Sequence, residues 1–101
     1  MEMETKQISE ITKTFTRGSL KGLATHLFFS GGLKHDRRKF FEIDVSSNNI
    51  KVGDETLYET MAFGRGKSIY CERVNTREEM TSAHFKAVNH FKEEYLKQIK
   101  A

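Results

Sequence analysis

The spacing of apolar residues changes period along this chain, and each change marks an element. Phe40-Phe41-Glu42-Ile43-Asp44-Val45 alternates, with Phe41, Ile43 and Val45 on one side and Glu42 and Asp44 on the other. A period of two is that of a half-buried strand. Ser46-Ser47-Asn48-Asn49 has the composition of a turn, because these short polar side chains bond their own backbone. Ile50-Lys51-Val52 then starts a returning strand, and Gly53-Asp54 breaks the pattern. Leu57, Glu59, Met61 and Phe63 alternate with Tyr58, Thr60 and Ala62, which predicts another strand. Gly64-Arg65-Gly66-Lys67 reads as a hairpin turn, and Ser68 to Val74 as the strand after it.

From residue 77 the period lengthens. Met80, His84, Ala87, Val88, Phe91, Tyr95 and Ile99 recur at threes and fours, with Lys86, Lys92, Glu93, Glu94 and Lys97 between them. This predicts an amphipathic helix from about Arg77 to about Gln98. Two overlapping capping boxes precede it, Asn75 with Glu78 and Thr76 with Glu79.

The first third of the chain is less regular. Residues 1–6 are polar and are expected to fray. Ile11, Thr12, Thr14, Phe15 and Thr16 favour a strand, which Gly18 stops. Ser19 is a plausible N-cap for Leu20, Leu23, Ala24, Leu27 and Phe28, which stand at helical spacing, and Gly31-Gly32 closes the segment. The pattern therefore predicts a short helix over 20–29. The expected fold class is α+β: an antiparallel β-sheet with a long C-terminal helix packed across one face and a short N-terminal helix, in a single domain over 1–101.

Composition adds little that is specific. Eight Phe and three Tyr supply core material for 101 residues. The net charge of +3 permits an acidic partner without requiring one. Cys71 is alone, so it can form no internal disulfide and no cysteine zinc site. No signal-peptide pattern opens the sequence and no segment reaches the roughly 20 apolar residues of a membrane span. A soluble cytoplasmic protein without membrane attachment is expected.

Candidate chemistry lies in two basic loops. Arg65 and Lys67, on a turn, could hold phosphate, and Phe63 beside them could stack on a base or sugar. The competing reading is a solvent-exposed turn with Phe63 in the core. The Leu33–Lys39 connector carries Lys34, Arg37 and Arg38, the densest positive patch, which suits a phosphate backbone or an ordinary charged surface loop. Gly66-Lys67-Ser68 is no P-loop: Met61 stands where the first Gly is needed, and Ser68 opens a strand rather than a helix. His26, His35, His84 and His90 have no metal-ligand spacing, so no metal or cofactor is expected. Cys71 lies in a strand with Ile69 and Arg73 on its side, no serine sits in a nucleophile elbow, and the acid pairs fit capping. No catalytic residue is expected. Phe85 and Leu96 fall off the helix stripe; exposed, they would form a second apolar surface for a homodimer or a partner protein.

The second half resembles a WGR domain, over about residues 39–100. Lys39-Phe40-Phe41-Glu42-Ile43-Asp44-Val45 is similar to that family's aromatic-rich opening strand. Phe63-Gly64-Arg65 stands where its Trp-Gly-Arg would, with Phe in place of Trp and a shorter turn following. Gly66, the strand from Ser68 to Val74 and Thr76-Arg77-Glu78-Glu79 follow in the family's order. The resemblance implies a small antiparallel sheet with a C-terminal helix. It also implies contact with nucleic acid, as in the DNA-damage-responsive poly(ADP-ribose) polymerases. Length and composition also resemble those of small orphan proteins of bacteriophages.

Two functions are thus expected. The first is a non-enzymatic protein-interaction module, a regulator or inhibitor docking on a larger partner. The alternative is a WGR-like nucleic-acid-binding module using Lys34, Arg37, Arg38, Phe63, Arg65 and Lys67.

Overall fold

A computed structural model describes the backbone of residues 3–17, 20–33, 41–64 and 66–100, and the side chains of 8–16, 21–28, 42–64 and 66–94. Five strands precede one helix: β1 (Met3–Arg17), β2 (Leu20–Leu33), β3 (Phe41–Val52), β4 (Glu55–Gly64), β5 (Lys67–Val74) and α1 (Arg77–Lys100). The strands form one antiparallel sheet in sequential order, β1-β2-β3-β4-β5. The α+β class is as expected, and the first third of the chain joins the same sheet.

Two expectations are overturned. Residues 20–29 are not a helix but part of β2, paired on both sides, for example Leu27 with Glu10 and with Ile43. The helical spacing arose because both faces of this strand carry apolar residues. Leu23, Thr25 and Leu27 share one face, and Ala24, His26 and Phe28 the other. Ser46–Asn49 is not a turn either: β3 runs straight through it, with Ser47 opposite Thr60 and Asn49 opposite Tyr58. The reversal comes at Gly53-Asp54, where Val52 pairs with Glu55 and Gly53 takes φ +64°. The next hairpin closes with Gly64 opposite Lys67, and Gly66 takes φ +76°. Both positions use a left-handed conformation that glycine adopts without steric cost.

Gly22 serves a different purpose. A Cβ there would stand 2.4 Å from Phe15 Cζ and 2.6 Å from the Ser47 carbonyl oxygen. The Phe15 ring lies over its cross-strand partner, covering a strand glycine with aromatic surface.

The helix forms where the pattern places it. Thr76 is its N-cap: the Glu79 amide donates to Thr76 Oγ1 at 3.2 Å, and the Thr76 hydroxyl donates to Glu79 Oε1 at 3.0 Å. Glu78 and Glu79 lie in the positive first turn. Met80, Ala83, His84, Ala87 and Val88 face the sheet and are buried. Leu27, Ile43, Val45 and Ala62 meet Ala87 and Val88 in the core, with Ile8, Tyr70 and Phe91 at its rim. Full burial of a side chain such as Leu27 stabilises by about 2–3 kcal/mol. Small Ala83 and Ala87 let the helix approach the strands closely.

Candidate functional site

Alternation and register divide the sheet into two faces. Odd positions of β2 and β3 and even positions of β1 and β4 lie under α1. The opposite positions form an open face, over which no helix lies among the described residues. Paired residues define its rows: Ile11, His26, Asp44 and Phe63 make one row across four strands, and Lys13, Ala24, Ser46, Met61 and Cys71 make the next. Ile11 is 55% exposed and Phe63 39%.

Several polar groups of this face are engaged with one another. His26 Nδ1 lies 2.5 Å from Asp44 Oδ1, and its Nε2 3.6 Å from Glu42 Oε2. Arg73 Nε donates to Glu59 Oε2 at 3.0 Å, and the Cys71 thiol points at the same oxygen at 3.6 Å. In these two rows the charged residues are Asp44 and Lys13; Glu42 stands in the neighbouring row opposite Phe28, and Glu59 is paired with Arg73. The face thus carries a local pair of exposed carboxylates, Glu42 and Asp44, around His26.

Two groups of β5 have raised pKa values, Cys71 on the open face and Tyr70 on the helix side. Burial pushes the Cys71 thiol above its ordinary pKa, and the Glu59 carboxylate adds to the effect. A nucleophilic thiol needs the opposite environment. Tyr70 donates to Glu72 Oε1 at 2.5 Å, and this bond pushes the phenol up to about 12.

A second polar constellation lies beneath α1, and its hydroxyl partners escaped the sequence reading. His84 is fully buried, with Nε2 2.7 Å from Thr25 Oγ1 and Nδ1 2.7 Å from Ser47 Oγ. Ser47 Oγ lies 2.7 Å from Thr60 Oγ1, and Thr25 Oγ1 lies 3.2 Å from Thr12 Oγ1. Thr12 in turn donates to Glu10, which is ion-paired with Lys92. Four strands and the helix meet in this chain of bonds. Burial lowers the His84 pKa to about 4. Every polar atom of the imidazole is satisfied without solvent, so the group locks the helix onto the sheet rather than serving an accessible ligand.

The residues expected to bind nucleic acid are only partly placed. Lys34, Arg37, Arg38 and Arg65 lie outside the described residues. Lys67 is exposed at the start of β5, just after the turn, and Phe63 opens onto the bare face rather than filling the core. Of the two expected interface residues, Phe85 is 41% exposed on α1, with its ring edge-to-face against His84 at 5.3 Å. Leu96 lies in α1, and its side chain is outside the described set. Among the described residues, no group of three or more His, Cys, Asp or Glu is placed to hold a metal ion. No described helix is long and apolar enough to cross a membrane.

Comparison with protein-family models, with curated proteins and with solved structures found no match to this chain.

Proposed function

We propose that this chain is a non-enzymatic protein-binding module that docks a larger protein on the open face of its sheet. The partner surface that fits carries apolar side chains flanked by Lys or Arg. The observation behind this reading is the row Ile11–His26–Asp44–Phe63 with its neighbours. The exposed apolar residues Ile11 and Phe63 flank the exposed carboxylates Glu42 and Asp44 around His26. Apolar contact supplies the affinity of such an interface, and complementary charge sets orientation and rejects wrong partners. A phosphate backbone laid on the same face would meet Glu42, Asp44 and Glu59, which weighs against a nucleic-acid role there.

The test is affinity capture with the full chain against two variants, Phe63→Asp and the double charge reversal Glu42→Lys with Asp44→Lys. A stoichiometric protein retained by the unmodified chain and released by both variants is the expected result. Retention by both variants, or no such protein, overturns the reading. So does a mobility shift on DNA or RNA at low salt that disappears with Arg65→Ala plus Lys67→Ala. That outcome would install the nucleic-acid function in its place.

A further inference from the structure

We infer that β1 is an intermolecular edge, and that its outer side pairs antiparallel with β1 of a second copy of this chain. The two edges of the sheet are built differently. β5 has eight residues, an irregularity opposite Ala62/Phe63, and α1 running beside it, as the groove lined by Glu72, Val74, Glu79 and Ala83 shows. β1 has 15 residues, and its only irregularity falls between Glu4 and Gln7. From Ile8 to Arg17 it is regular, free of proline and rich in β-branched and aromatic residues. Among the described residues no strand pairs with its outer side. A long regular edge presents a row of unpaired amides and carbonyls, and proteins that remain monomeric blunt such edges with prolines, bulges, short strands or charged side chains. Of these devices this segment carries only charge, Lys13 on the open face and Glu10 on the helix side, where Lys92 neutralises it.

The strand's own sequence suits a second copy as occupant, and among the registers centred on residues 10–13 it favours one. A two-fold axis normal to the sheet keeps each face continuous, so opposed residues must share a face. Centring the pair on Glu10 or on Lys13 sets like charges opposite each other, which is unfavourable. Centring it on Thr12 sets Ile11 against Lys13 and brings together two hydroxyls already committed to Thr25 and Glu10. Centring it on Ile11 sets Ile11 against its own copy, Ser9 against Lys13 and Glu10 against Thr12. That register covers Ile11, which is 55% exposed, with apolar surface and opposes no like charges. Each copy then contributes its five strands to one sheet. Both helices lie on one side, and the two open-face rows that end at Ile11 join across the axis. This arrangement uses the backbone edge and stands independently of what docks on the open face.

Sedimentation equilibrium of the full chain tests it. The expected mass is twice the 11.7 kDa of one chain. Ile11→Lys places two cations opposite each other at the axis and is expected to weaken association by roughly tenfold or more, with circular dichroism unchanged. Ile11→Cys in a Cys71→Ser background is expected to form a disulfide-linked dimer on mild oxidation. Directly opposed residues lie about 4.5–5.5 Å apart at Cα, within disulfide range. Ser9→Cys in the same background is expected to give none. A monomer at every soluble concentration overturns the inference. So does a dimer in which Ile11→Cys fails to cross-link, a readout that holds even if Ile11→Lys does not fold.

Discussion

His84 on the helix and Ser47 in the middle of β3 lie 2.7 Å apart through Nδ1 and Oγ, with both side chains fully buried. This bond explains why β3 continues through a segment whose composition favours a turn. A buried imidazole without partners would be costly, and Ser47 supplies one of the two it needs.

The first consequence is a pH dependence of stability. Burial depresses the folded-state pKa of His84 from 6.5 to about 4, so the unfolded chain binds this proton more readily. Stability from this group is fully present above pH 6.5 and declines as pH falls toward 4. The shift corresponds to about 3 kcal/mol. Denaturant titrations across that window should show this slope for the unmodified chain. In His84→Ala the contribution should vanish, with a loss at neutral pH of roughly 3 kcal/mol from the cavity and the stranded hydroxyls. An unchanged slope would mean that another group titrates.

The second is the tautomer. The Thr12 hydroxyl gives its one proton to the Glu10 carboxylate, so Thr25 must give its own to Thr12. Thr25 then accepts from Nε2–H, Nδ1 accepts from Ser47, and Ser47 accepts from Thr60. Nitrogen-15 NMR of the imidazole should find the proton on Nε2. In Glu10→Leu that preference should weaken. A proton on Nδ1 in the unmodified chain contradicts the relay.

Gly22 and Gly53 should respond to alanine for different reasons and by different amounts. At Gly22 the added carbon meets the Phe15 ring and the backbone oxygen of Ser47, both under 3 Å, so about 2–3 kcal/mol should be lost. At Gly53 nothing lies within 4 Å, and only the φ of +64° resists, at a cost of about 1 kcal/mol. Thermal and urea unfolding of both variants would check the order.

Thr76→Ala removes the acceptor of the Glu79 amide and should cost about 1 kcal/mol. Asn75→Ala should cost less, because the helix uses the Thr76 box. Equal losses would place the cap one residue earlier.

Alone, the sequence determined α1 and the strand character of residues 41–45, 57–63 and 68–74. Their periods are strong, and capping and turn residues agree with them. It also identified His84 as part of the buried stripe. β2 was not legible, because a strand apolar on both faces has no alternation to read, and its spacing imitates a helix. Neither were the buried roles of Thr25, Ser47 and Thr60, since small hydroxyl residues are ordinarily found at turns and surfaces. Which hydroxyls meet the imidazole, and which face is left bare, depend on how the helix crosses the sheet. Those contacts join residues up to 59 positions apart, a distance no local pattern encodes.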